Sequence, residues 1–174
     1  MAKKEATSEK VWLGLALTRI AIGFIFLWAF LDKLWGLGFA TPAARAWVNG
    51  GSPTAGFLKM GVNPDGPFAS LFNSLAGIQL VDWLFMLGLL GIGMALILGV
   101  GMRIAAWSGA LLLALMYLAI FPMKEKGANN PLIDDHIIYG LTLLALAWAL
   151  PNQRLSLAGW WSGLDVVKKN PWLK

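Results

Sequence analysis

Long apolar stretches separated by short polar ones dominate this chain. Residues 11–31 are interrupted only by Thr18 and Arg19, and further apolar runs occupy 80–99, 104–122 and 131–150. A helix needs about 17–25 residues to cross a hydrocarbon core roughly 30 Å thick, so these runs predict spans at 11–32, 80–99, 104–122 and 131–150. Strands are a poor alternative. Backbone inside a bilayer must satisfy its own hydrogen bonds, and none of these runs shows the period-two alternation of a barrel. The expected fold is therefore all-α: a polytopic membrane four-helix bundle forming a single domain over 1–174.

Local signals refine the boundaries. Lys3, Lys4 and Lys10 precede the first run in the manner of a signal peptide. The run is nevertheless longer than the about 7–15 residues of such a segment, and no small-residue cleavage site follows closely, which predicts an uncleaved first span. Phe121-Pro122 suits the end of the third span, and Asn130-Pro131 reads as an N-cap followed by proline at the first helical position. Gly91, Ala95 and Gly99 form a stripe of small residues on span two, where another helix can approach closely. The segment 33–79 is too long for a passive connector. Its glycines and prolines predict turns, while Phe68, Leu71, Phe72, Leu75 and Ile78 have the spacing of a short interfacial helix. We expect it to cap the outer mouth of the bundle, with 151–174 as a cytoplasmic tail.

Composition agrees and adds exclusions. The chain is 58% hydrophobic and 13% charged, against roughly 45–50% and a quarter in soluble proteins. With no Cys and one His, it carries no disulfide, thiolate zinc site, Cys-ligated cluster or covalently bound cofactor of those kinds, so any redox role must borrow its electron carrier. The net charge of +5 is scattered between apolar runs, unlike the clustered basic face that nucleic acid requires, and no nucleic-acid partner is expected. The lipid bilayer is the expected partner. With the N-terminus inside, Lys3, Lys4, Lys10, Arg103, Arg154, Lys168, Lys169 and Lys174 lie on the inner side and Lys33, Arg45, Lys59, Lys124 and Lys126 on the outer. This bias predicts a plasma-membrane protein with both termini cytoplasmic. Trp12, Trp107, Trp148, Trp160 and Trp161 then mark the inner boundary, and Trp35 and Trp83 the outer one.

The few polar residues in the spans are the candidate chemistry. Arg19 lies about 12 Å into the first span by helical rise. An intramembrane charge marks a functional site by default, the alternative being a side chain that snorkels or binds backbone carbonyls. Arg19, Gly23, Phe26, Phe30 and Lys33 share one helix face. In the predicted topology Asp32, Lys33, Gln79, Asp82, Asp134, Asp135, His136 and Tyr139 all reach the outer side. Asp135 and Tyr139 are four residues apart and His136 and Tyr139 three, so a carboxylate, an imidazole and a phenol can meet there and pass protons. An ordinary hydrated helix end is the plainer reading. One His and no Cys give no recognised ligand spacing, and no metal site is expected.

These residues resemble the DoxX-like family of small four-span membrane proteins, its DoxD branch in particular. The family's first-span pattern R-x3-G-x2-F-x3-G-x2-K is matched by Arg19, Gly23, Phe26 and Lys33, with Phe30 at the second glycine. Gly93, Leu96, Gly99, Arg103 and Ala106 fit its glycine-rich second span, and Gly159, Ser162, Leu164 and Asp165 its tail, with Gly163 inserted. An acid common in the family falls here on Leu89. The resemblance implies a quinone-linked oxidoreductase subunit that takes electrons from thiosulfate or a similar small reduced substrate. It further implies a membrane quinone as cofactor and a small redox subunit as partner. Arg19 and Lys33 would then attract anionic or quinone oxygens, Phe26 and Phe30 would pack the ring, Asp82 would belong to the same substrate- or quinone-binding set, and Asp135, His136 and Tyr139 would hydrogen-bond the quinone head and exchange protons. Two other readings stand beside it: a non-catalytic scaffold or assembly factor of a redox complex, and a small-anion carrier using Arg19, which would need a homo-oligomer for alternating access.

Overall fold

The computed structural model describes residues 2–123, 130–149 and 154–173, with the first helix's side chains from Glu9 onward. The side chains of Lys3 and Lys4, residues Lys124, Lys126 and Lys174, and position 150 at the end of the expected fourth span lie outside the described residues. Among the described residues all regular structure is helical. Helix α1 covers Ala2–Trp35, α2 Ala69–Ser74, α3 Gln79–Leu98, α4 Met102–Ile120, α5 Asp135–Trp148, α6 Ala158–Gly163 and α7 Asp165–Lys169.

Three of these helices are long and apolar enough to cross a membrane: Glu9–Trp35, Gln79–Leu98 and Met102–Ile120. Helix α5 is shorter, at 14 residues. It rises about 21 Å, less than the roughly 30 Å of a hydrocarbon core. The expected Asn130 cap is not where α5 begins. Asn130 instead closes a turn, its side-chain oxygen accepting from the Leu132 and Ile133 N–H groups, and Asp134 is the N-cap, accepting from the Ile137 N–H at 3.2 Å.

The chain runs up and down. Helices α1 and α4 rise toward what we call the cap end, while α3 and α5 descend toward the terminal end. Helix α1 packs along α3 and α4 along α5; the two pairs join mainly through α3 and α4, and α1 touches α5 little. Ile22, Phe26, Met86, Leu89, Ile92, Leu96, Met102, Leu113, Leu143 and Leu146 form the main core. Leu89, where the family resemblance would place an acid, is thus a core residue.

Close approach of α1 and α3 rests on glycines. A Cβ on Gly23 would sit 2.9 Å from Leu96 Cβ, and one on Gly93 would sit 2.7 Å from the Leu27 backbone nitrogen. Of the stripe expected at Gly91, Ala95 and Gly99, Gly91 lies outside this contact, since a Cβ there would meet nothing within 4 Å, whereas Gly99 lies against Arg19 of α1. The face read from α1 is the one buried. Arg19, Ile22, Gly23 and Phe26 point inward, and Phe30 packs against the core from its edge.

The segment between α1 and α3 folds back over the cap end. Trp47 packs edge-on to Trp83 at 4.6 Å. Leu58, Val62 and Phe72 form a second cluster with Ala119 of α4, and Asn63 fastens it by donating from its backbone N–H to Ala119 O at 3.0 Å and from Nδ2 to Pro122 O at 2.8 Å. Only Ala69–Ser74 of the expected interfacial helix is α-helical.

Candidate functional site

At the terminal end the organising residue is Arg19. From Arg19 to Trp35, α1 rises about 24 Å, close to the about 26 Å that α3 takes from Gln79 to Leu96. Arg19 therefore stands level with the last turn of α3, at the end of the packed bundle, and α1 continues past it toward Glu9. That turn ends a helix, and its last carbonyls have no intrahelical partners. Gly99 stops α3 in the left-handed conformation at φ +67°, its N–H donating to Ala95 O at 2.8 Å. Arg19 Nη1 donates to Leu96 O at 2.8 Å, and the Leu157 N–H donates to Leu98 O at 2.8 Å. Nη2 reaches across to Leu155 O at 2.8 Å and Arg154 O at 3.1 Å in the segment beyond α5. The guanidinium thus ties α1, the end of α3 and the start of the C-terminal tail together.

Arg19 is 0% exposed, and its Nε–H has no partner among the described residues. In place of a carboxylate it has three backbone carbonyls and the negative pole of α3, which favours a cation there. Gly99 leaves room for this arrangement, because a Cβ at that position would run into Arg19 Nη1 and Ser156 Cβ. The carbonyl-binding reading of Arg19 describes what the side chain does, and no face of the guanidinium is open to an anion from solvent.

At the cap end two buried carboxylates hold the loop. Asp32 accepts from the backbone N–H groups of Phe39 at 3.1 Å and Ala40 at 3.0 Å, pinning the turn that follows α1. Asp82 Oδ1 accepts from Ser52 Oγ at 2.9 Å, Thr54 Oγ1 at 2.6 Å and the Thr54 N–H at 3.1 Å. These hydrogen bonds replace the hydration that each carboxylate gives up on burial.

Lys33 differs from its neighbours. It is half-buried, with Nζ 5.9 Å from the centroid of the Phe85 ring, a cation–π distance. Among the described residues it makes no ion pair or hydrogen bond, and adjacent Asp32 has both oxygens engaged by the loop. Phe26 is 5% exposed and belongs to the core, while Phe30 packs against that core from its edge.

The start of α5 completes the cap end. His136 Nδ1 pairs with Asp134 Oδ2 at 2.5 Å, so the carboxylate that caps α5 also orients the imidazole. Asp135 is exposed, and Tyr139 packs against the core cluster. Neither Asp135 nor Tyr139 is hydrogen-bonded to His136, and no bond links the two to each other. The spacing predicts that Asp135, His136 and Tyr139 meet, but the imidazole's partner is Asp134. Both acids precede His136, and only the capping geometry, which turns Asp134 back over the first turn, decides between them. Ser52 and Thr54 were likewise missed as partners of Asp82, and no local signal marks residues that distant. Among the described residues no three His, Asp or Glu side chains gather in a set able to hold a metal ion.

Comparison of the chain with protein-family models, with curated proteins and with solved structures finds no match.

Proposed function

We propose that this chain is a DoxX-like membrane subunit that binds a small anionic or quinone-type ligand at the cap end through Lys33 and serves a quinone-linked oxidoreductase. The supporting observation is the contrast among the charged groups of the spans. Arg19, Asp32 and Asp82 are all engaged by backbone or hydroxyl groups of the fold, whereas the Lys33 ammonium lies over an aromatic ring with no salt bridge or hydrogen bond among the described residues, its nearest opposite charge being the Asp32 carboxylate whose oxygens the loop already holds. A half-buried cation is costly unless an anion or dipole meets it. A quinone carbonyl or an oxyanion would accept from Nζ, and Phe85 offers a ring face beside it. A bound quinone would supply two-electron acceptance; the His136–Asp134 pair at the same end of the bundle would relay its protons. Electrons would enter from a partner subunit. Phe26, being core, has no part in this, and Arg19 gives the anion-carrier reading no support.

The proposal places the cap outside the plasma membrane and both termini in the cytoplasm. Lys10, Arg103, Arg154, Lys168 and Lys169 at the terminal end against Lys33, Arg45 and Lys59 at the cap end support it. One observation favours the scaffold reading instead: Arg19, Asp32, Asp82 and Asp134 all have structural work in the fold.

Lys33→Met and Lys33→Arg in the membrane complex, assayed for thiosulfate-dependent quinone reduction, separate the two. Ligand binding at Lys33 predicts an apparent KM raised about tenfold or more by Lys33→Met, corresponding to one lost charge-assisted hydrogen bond, and largely restored by Lys33→Arg. Unchanged kinetics, with the complex still assembled, would favour the scaffold.

A further inference from the structure

We infer that the C-terminal segment, α6, α7 and the turn after them, is a docking pad for anionic phospholipid headgroups on the membrane face that carries the termini. The segment is seated on the end of the bundle at both of its edges. At its start the Leu157 N–H donates to Leu98 O at 2.8 Å. At its finish Leu173 lies by the α3–α4 turn, its carbonyl facing Gly101 and accepting from Trp161 Nε1 at 2.7 Å. Val167 is 0% exposed between these fixed points. The pad is therefore held at the level where two membrane-crossing helices meet, which is the height of the headgroups.

What it leaves uncovered suits that height. Trp161 is engaged internally, but Trp160 and Trp172 are 62% and 60% exposed, and Val166 projects between them in sequence. Indole rings exposed at a bilayer boundary are amphipathic anchors. The segment's exposed cations are Lys168 and Lys169 on α7, with exposed Arg103 at the start of α4, the helix against which the last turn packs, and the opposing acid in the pad is Asp165, whose approach to Lys168 is loose at 3.5 Å. Arg154 is taken by Glu9 at 2.8 Å. A fixed surface with exposed indoles and excess positive charge at headgroup height matches an anionic lipid surface in both apolarity and charge. This inference stands independently of the reading of Lys33.

The test uses the full chain in phosphatidylcholine nanodiscs doped with a minor fraction of brominated phosphatidylglycerol or brominated phosphatidylcholine, with tryptophan quenching as the readout. Brominated phosphatidylglycerol is expected to quench more strongly, the excess to vanish in Trp160→Phe/Trp172→Phe, and the preference to fall about tenfold or more in Lys168→Gln/Lys169→Gln. Raising the salt concentration on the unmodified chain should reduce the same preference by screening, a readout that needs no variant to fold. Equal quenching by both lipids, or a preference that survives both salt and the double lysine variant, overturns the inference. Quenching of Trp160 and Trp172 by acrylamide but not by either brominated lipid also overturns it, because the pad would then face water or a soluble partner.

Discussion

Replacing Arg19 by methionine is the sharpest test of the terminal-end architecture. Methionine keeps the apolar stem and approximate length but removes all three carbonyl bonds. The Leu96 carbonyl is buried, and an unsatisfied buried acceptor costs about 1–3 kcal/mol. The Arg154 and Leu155 carbonyls are only partly buried, so water can replace the guanidinium there at a loss of about 1 kcal/mol each. Against this, the variant no longer buries a cation that has no carboxylate partner, which recovers part of the cost. The balance is a destabilisation of about 2–4 kcal/mol, or a melting temperature lower by roughly 5–15 °C for a chain of this size. Because two of the lost bonds hold the tail, its proteolysis in mild detergent should accelerate before the bundle unfolds. Arg19→Lys should fall in between, since a single ammonium cannot span carbonyls that the planar fork reaches on two sides. A melting temperature within about 1 °C of the parent's for Arg19→Met, with the tail equally resistant to protease, would refute the clamp.

Two further outcomes follow from packing and from the cap. Gly93→Ala should force α1 and α3 apart, because its Cβ would lie 2.7 Å from the Leu27 nitrogen, at about 1–3 kcal/mol; Gly91→Ala, with nothing within 4 Å, should be neutral or stabilising by up to about 1 kcal/mol. Equal shifts in thermal unfolding for the two variants would contradict the assigned contact. Asp82→Ala should free Ser52 and Thr54 and destabilise by about 2–4 kcal/mol, with the loop around residues 47–56 cut selectively by protease and Asp82→Asn milder. An uncut loop would mean that Asp82 does not hold it.

Hydrophobic run length and period, which are local properties of the chain, were enough to show an all-helical membrane protein with long spans and an inward face on α1 that includes Arg19, Gly23 and Phe26. Other features depended on partners far away in sequence. Nothing near Arg19 says that its guanidinium meets carbonyls at 96, 154 and 155, or that it stands at the end of the bundle. Depth counted from the start of an apolar run assumes that the membrane begins there, whereas α1 overshoots the helices it packs against. The glycine contact moved from Gly91 to Gly93 because the rotation of α3 is set by all of its neighbours together, and two residues along a helix turn the contact by more than half a circle. His136 found Asp134 and not Asp135 because a capping side chain folds back over the first turn while the next residue points away from it. Charges in the spans could be counted from the sequence; which of them the fold had already engaged, leaving Lys33 with no salt bridge or hydrogen bond among the described residues and beside an Asp32 held by the loop, was decided only when the loop closed over the cap end and supplied the donors.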